Sequence, residues 1–314
     1  MRPPAVPLLP PVLRWSLALG AATGVVLAAV LAGSGGWDPE LVRLLRGPRV
    51  LAAAGVGALL ALAGLVMQVL LRNPLADPYV LGTSGGASVG ALAALLAGLP
   101  LWAGAGGGAL AAGALLLLLA RSALATTDDA SPRLILVGAM LAALFGAVAT
   151  LLLMLTPDER LRGAIFWLVG DLSAAQDRGM ALAGALALLG WLAARGRSVD
   201  RLMLGAEAAG LLGEPVRRLR LELLVAASLA VGLAVSTAGA IGFVGLVVPQ
   251  AWRLLGVHDT RELAGLSAVG GATLLVAADL LSRTAVAPME LPVGAVMALV
   301  GAPCFIALLL RGPR

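Results

Sequence analysis

Apolar runs long enough to cross a bilayer recur from one end of this chain to the other. A helix rises 1.5 Å per residue, so about 20 apolar residues are needed to cross a hydrocarbon core of about 30 Å. Runs of roughly that kind fall at 15–33, 50–71, 79–98, 101–120, 134–156, 180–194, 221–237, 240–256, 263–281 and 291–310. The predicted fold is an all-α polytopic membrane protein of ten spans. A transmembrane barrel needs segments of alternating polarity, whereas Leu110 to Ala120 is apolar at every position. The shortest run, 180–194, follows an apolar patch from Gly163 to Gly170 that reads as a partial or interfacial helix, and the run at 240–256 is interrupted by Pro249 and several glycines.

Residues 1–14 are a Pro-rich tail, and 15–314 form a single transmembrane domain. A signal peptide fits less well, because the apolar stretch from Trp15 to Gly33 exceeds the usual length of such a leader. Every basic residue is arginine. With the N-terminus inside, 15 of the 22 arginines fall on the cytoplasmic side, so both termini are expected there. Gly57, Gly64, Gly104 and Gly108, among 41 glycines, suit close helix approach in lipid.

The absent residue types narrow the chemistry. Without lysine there is no phosphate-binding Walker loop and no Schiff base, so any ATP is hydrolysed on another chain. His258 is the sole histidine and Cys304 the sole cysteine, which argues against a zinc helix, paired haem ligands or a disulfide; neither metal nor cofactor is expected. Gly82-Thr83-Ser84-Gly85-Gly86 matches a nucleophile pattern, but it follows no strand, and the one histidine lies in a predicted cytoplasmic loop. An intramembrane serine protease is therefore a weak alternative, and the glycines are read as a helix start and packing surface. A secondary transporter is the other alternative; it would need ionisable residues secure within a span.

Polar interruptions carry the rest. In RNPLADP at 72–78 the two prolines push Asn73 and Asp77 out of helical geometry and predict a tight turn. The stretch from Arg195 to Arg220 mixes charge with short apolar clusters; it reads as two short helices ended by Gly205 and Gly213, presenting Leu202, Leu204, Ala208, Ala209, Leu211 and Leu212. A patch of that kind needs a cover, either a protein partner or lipid headgroups. Glu222 and Asp279 lie near the ends of their spans, where they can reach the interfaces, and Gln68 is the candidate for the translocation path or for a bridge between helices.

Three segments resemble the FecCD-type permease family: RGPRVLAAAGVGALLALAGLVMQVLLRNPLADPYVLGTSGGASVGAL at 46–92, GAIGFVGLVVPQAWRLL at 239–255 and ADLLSRTAVAPMELPVGAVMALVGAPCFIALLLR at 278–311. GAEAAGLLGEPVRRLRL extends the match between the first two. Gln250, where many members carry His, and Asp171, at a position usually small and polar, depart from the pattern. The resemblance implies a type II ABC importer permease for an iron–siderophore, haem or cobalamin in the bacterial inner membrane. It would pair with a second copy or a paralogue, bind two cytoplasmic ATPase subunits and receive substrate from a periplasmic or lipid-anchored binding protein. It further implies that Arg46, Arg49 and Arg283 hold acidic residues of the binding protein. Glu207, Ala208, Ala209, Leu212 and Gly213, within the 195–220 loop, would couple to the ATPase.

Overall fold

A computed structural model describes residues 9–33, 38–125, 131–173 and 179–311. Helices make up the architecture, and no strand occurs among these residues. In chain order they are α1 (Pro11–Leu31), the single turn α2 (Pro39–Leu41), α3 (Gly47–Leu70), α4 (Thr83–Leu96), α5 (Leu101–Ala125), α6 (Ser131–Met154), α7 (Asp158–Val169), α8 (Met180–Met203), α9 (Ala206–Leu211), α10 (Val216–Ala238), α11 (Val244–Leu254), α12 (Thr260–Thr284) and α13 (Val293–Arg311). A π-helical turn, Val42–Arg46, joins α2 to α3, and a 3-10 turn, Pro78–Leu81, precedes α4.

Each of the ten apolar runs coincides with a helix, but not every helix is long enough to cross. Among the described residues six segments have the length and apolarity of a full span; α4 and α13 are apolar but shorter. At 11 residues, α11 extends only about 16 Å. Most of the Pro-rich tail, residues 1–8, lies outside the described residues, and α1 begins at Pro11 within the stretch read as tail. The patch at 163–170 belongs to α7, which ends where Gly170 adopts a φ of 98°.

The stretch after Arg195 differs from its sequence-based expectation. Two short helices were expected there, but α8 runs unbroken through Arg195 and Arg201 to Met203, leaving α9 as the one short helix. The charges that ended the apolar run do not end the helix, because one face of the extension still packs inward, with Gly196, Val199 and Leu202 buried at three-residue spacing. Gly205 (φ 116°) and Gly213 (φ 81°) bracket α9, as expected of residues that reverse the chain.

The core is built around α3, of whose span 89% is buried, against 17% for α1 and for α6. Helices α8, α10, α11 and α12 surround it. Glycines permit the approach: a methyl at Gly57 would strike the Gly271 carbonyl of α12, and one at Gly64 would strike Gly245 of α11. Gly104 and Gly108 of α5 meet Gly90 and Gly86 of α4 in the same backbone-to-backbone manner. In lipid, where apolar side chains gain little by leaving the solvent, such contacts supply much of the association energy.

Two breaks in the helical run are tied together. The turn after α3 is fixed by Asn73 and Asp77, whose carboxamide and carboxylate oxygens accept from Leu75 N at 2.9 Å and Tyr79 N at 2.7 Å. Gly82 (φ 74°) then starts α4, and Phe243 (φ 70°) starts α11. Between these breaks the Tyr79 hydroxyl donates to the Ile241 carbonyl at 3.0 Å and receives the Ile241 N–H at 2.9 Å. Irregular backbone within an apolar bundle requires such partners, since an unpaired amide or carbonyl there is costly.

Candidate functional site

Two groups of residues stand at opposite ends of the bundle, one at the start of α3 and the other beside Arg72, just past its end. The first gathers Arg46, Arg49 and Arg283, which are far apart in sequence. Arg46 ends the π-helical turn before α3, Arg49 lies in the first turn of α3, and Arg283 lies in the last turn of α12. Asp279, fully buried one turn before Arg283, is the common anchor of Arg49 and Arg283. Its Oδ1 accepts from Arg49 Nε at 2.8 Å, and its Oδ2 lies 3.4 Å from Arg283 Nε.

The remaining donors face elsewhere. Arg49 Nη1 donates to Glu290 Oε2 at 2.9 Å; that carboxylate lies in the loop between α12 and α13 and is 43% exposed. Arg283 donates to the carbonyls of Ala29 and Ala32, and Arg46 to those of Val30 and Leu31. Both therefore serve the last carbonyls of α1, which lack partners within their own helix and form its negative pole.

The second group surrounds α9. Glu207 is exposed and Ala208 half-buried, but Ala209 is completely buried. Leu202 is buried too, so of the apolar patch read from the sequence the outward members are Leu204, Leu211 and Leu212, at 66%, 85% and 54% exposure. Gly213 turns the chain, and Arg201 of α8 meets Glu214 at 2.6 Å across the base of α9. This contact holds the Glu214 carboxyl below its ordinary range. The segment is thus a small braced knob with leucines on its outer surface.

Gln68 belongs to neither group. Buried in the last turn of α3, it donates to the Gly245 carbonyl at 3.2 Å and accepts from Arg253, which links α3 to α11 at two points. Arg253 and Tyr79 were not singled out in the sequence, and neither was Glu290. The spacing of Asp279 and Arg283, four apart near a helix end, was the one available signal for the buried centre of the arginine cluster. Of the two departures from the family pattern, Asp171 receives Ser173 N at 2.8 Å, and Gln250 Oε1 is buried without a hydrogen-bond partner.

Comparison with known proteins places this arrangement. The FecCD transport family matches residues 11–311. The vitamin B12 import system permease protein BtuC of Vibrio cholerae is 43% identical over 279 residues, covering 87% of this chain and 84% of that protein. An ABC transporter permease protein of Bacillus subtilis, YvrB, is 42% identical over 288 residues, with 88% and 81% covered. A solved structure described as an inward-facing conformation of a metal-chelate-type ABC transporter superposes with a TM-score of 0.88 at 27% identity, covering 96% of this chain and all of that one. The PsaBC pair of Streptococcus pneumoniae, at 18% identity and a TM-score of 0.62 over 87% and 95% of the two chains, shares the fold.

The protein is a permease subunit of an ABC importer, a transport component rather than an enzyme, with ATP hydrolysis on a separate subunit. It belongs to the FecCD transport family.

Proposed function

We propose that this permease carries a large metal chelate, cobalamin or an iron chelate such as a siderophore or haem, across the bacterial inner membrane. The observation that carries the reading is the pairing of a cationic cluster at one end of the bundle with an apolar knob at the other, in a chain 43% identical to a vitamin B12 permease. Both termini and α9 face the cytoplasm in this reading, and the arginine cluster faces out. Ten helices are embedded, with α4 and α11 as partial crossings that meet at the Tyr79 clasp.

Two such chains, identical or paralogous, enclose the path. A periplasmic or lipid-anchored binding protein docks its carboxylates near Arg46, Arg49 and Arg283. Of the three, Arg49 is best placed, because its outer face already holds a carboxylate, Glu290, near the surface. Guanidinium suits this task, since its planar fork can grip a carboxylate through two charge-assisted hydrogen bonds. At the other end Glu207, Ala208, Leu212 and Gly213 engage the two ATPase subunits, with Ala209 packed beneath them. Closure of the ATPases moves α9 and shifts the bundle between outward- and inward-facing states. Gln68, at the joint of α3 and α11, transmits that movement or borders the path.

The substrate is tested on the delivery protein. Titrating the cognate binding protein with cobalamin, ferric siderophores and haem should show tight binding of one of them. A binding protein selective for an amino acid or sugar would refute the assignment.

A further inference from the structure

Between α8 and α10 lies a cleft of about 650 Å³, the size of a small-ligand pocket, that no transport role accounts for. Gly184, Leu188 and Trp191 of α8 line one wall, Val225, Leu229 and Leu233 of α10 the other, and Leu59 of α3 is the floor. The α8 residues are spaced four and three apart, hence on one helix face. The lining is apolar along its length and charged at one end only, where Arg218 and Glu222 stand.

The dimensions select an occupant. From Arg218 to Leu233 the cleft follows α10 for about 22 Å, and from Gly184 to Trp191 it follows α8 for about 10 Å, spans that bracket the roughly 15 Å of one leaflet of a 30 Å core. It closes at the far end, where the Leu233 side chain packs on Gly184, so a helix crossing the whole bilayer would not continue along it. At the open end Arg195 and Arg218 share the single carboxylate of Glu222, each at 3.0 Å. Arg218 is 76% exposed and, with Arg217, also lines an adjoining cleft of about 520 Å³. Positive charge therefore exceeds negative charge at the mouth. Trp191 sits one turn before Arg195, at the level where indoles mark a membrane interface.

We propose that this cleft binds one anionic phospholipid, its acyl chain lying between α8 and α10 and its phosphate held by Arg195 and Arg218. Basic pockets between helices at the anionic leaflet take such headgroups. The phosphate would bridge the two helices that carry α9 between them, so the lipid would brace that knob. This last consequence rests on the reading of α9 as the coupling segment; the binding site itself does not.

The test is native mass spectrometry of the full-length permease released from mixed phosphatidylglycerol and phosphatidylcholine micelles, with thermal stability measured in parallel. The native protein should retain phosphatidylglycerol preferentially. A double Arg195→Gln, Arg218→Gln variant should lose about thirtyfold in that retention, whereas Arg43→Gln with Arg162→Gln should not. Ala226→Trp, which fills the cleft from its wall, should displace both lipids; should it fail to fold, the arginine pair decides alone. Equal retention of the two lipids, or unchanged retention in the arginine variant, overturns the proposal. So does a cross-link between two copies formed in membranes through Leu229→Cys, which would give the cleft a protein occupant. If the lipid binds but ATPase coupling does not respond to it, the role assigned to α9 fails and the site stands.

Discussion

Arg49 and Asp279 meet at 2.8 Å across the adjoining ends of α3 and α12, with Asp279 completely buried and Arg49 still presenting a donor to Glu290. One guanidinium thus has an inner carboxylate that fixes it and an outer one near the surface. The inner contact sets the geometry of the cluster, and the outer contact is the one another carboxylate can replace.

Asp279→Ala is expected to destabilise the bundle severely, because Arg49 and Arg283 would be left largely buried without their common partner. Removing one member of a buried pair typically costs about 3–5 kcal/mol. The check is thermal unfolding in detergent; an unfolding temperature within a degree or two of the native protein would show that the arginines do not depend on Asp279.

Glu290→Gln should behave in the opposite sense. The loss of a partly exposed ion pair costs about 0–1 kcal/mol in stability, while Arg49 gains a free donor edge. Affinity for the binding protein, measured at low salt, should rise a few-fold, and the gain should fade as salt screens the contact. Unchanged or weaker docking would mean that Arg49 is not where the partner's carboxylate binds.

Tyr79→Phe removes one hydroxyl and both of its bonds to Ile241. The buried amide and carbonyl left unpaired should cost about 1–3 kcal/mol. If the clasp joins the moving parts of the path, transport should fall more than expression does. Normal uptake with normal stability would reduce the clasp to an incidental contact.

At the other end, two substitutions two residues apart should fail differently. Leu211 is 85% exposed and Ala209 fully buried, so Leu211→Asp should fold yet bind the ATPase poorly, whereas Ala209→Asp should reduce folded protein in the membrane. Co-purification of the ATPase with each variant, normalised to folded permease, separates the two. Full ATPase binding by Leu211→Asp would remove the leucine face of α9 from the interface.

Much of this was legible in the sequence because bilayer thickness acts on composition directly: each apolar run coincides with a helix, and the prolines of RNPLADP end α3 where expected. The length of α8 was not legible, since its final turns are polar and leave the apolar pattern while remaining helical. Nor was the burial of Asp279, because an acidic residue near a helix end reads as interfacial until Arg49 of α3 is brought to it. Leu202 and Ala209 were read as exposed for a related reason: a short apolar cluster in a polar loop does not declare which members pack under it. The Tyr79–Ile241 clasp, spanning 162 positions, leaves no local trace at all.

In the proposed mechanism this permease couples ATP hydrolysis on one face to release of a delivered chelate from the other. The most direct test is uptake into proteoliposomes that contain the permease and its ATPase, with the loaded binding protein added on the arginine-cluster side. Substrate should accumulate only when ATP is supplied on the α9 side, and an Arg46→Glu, Arg49→Glu, Arg283→Glu variant that still folds should lose both docking and uptake. Accumulation driven by an ion gradient without ATP, or uptake by a folded triple variant at the native rate, would contradict it.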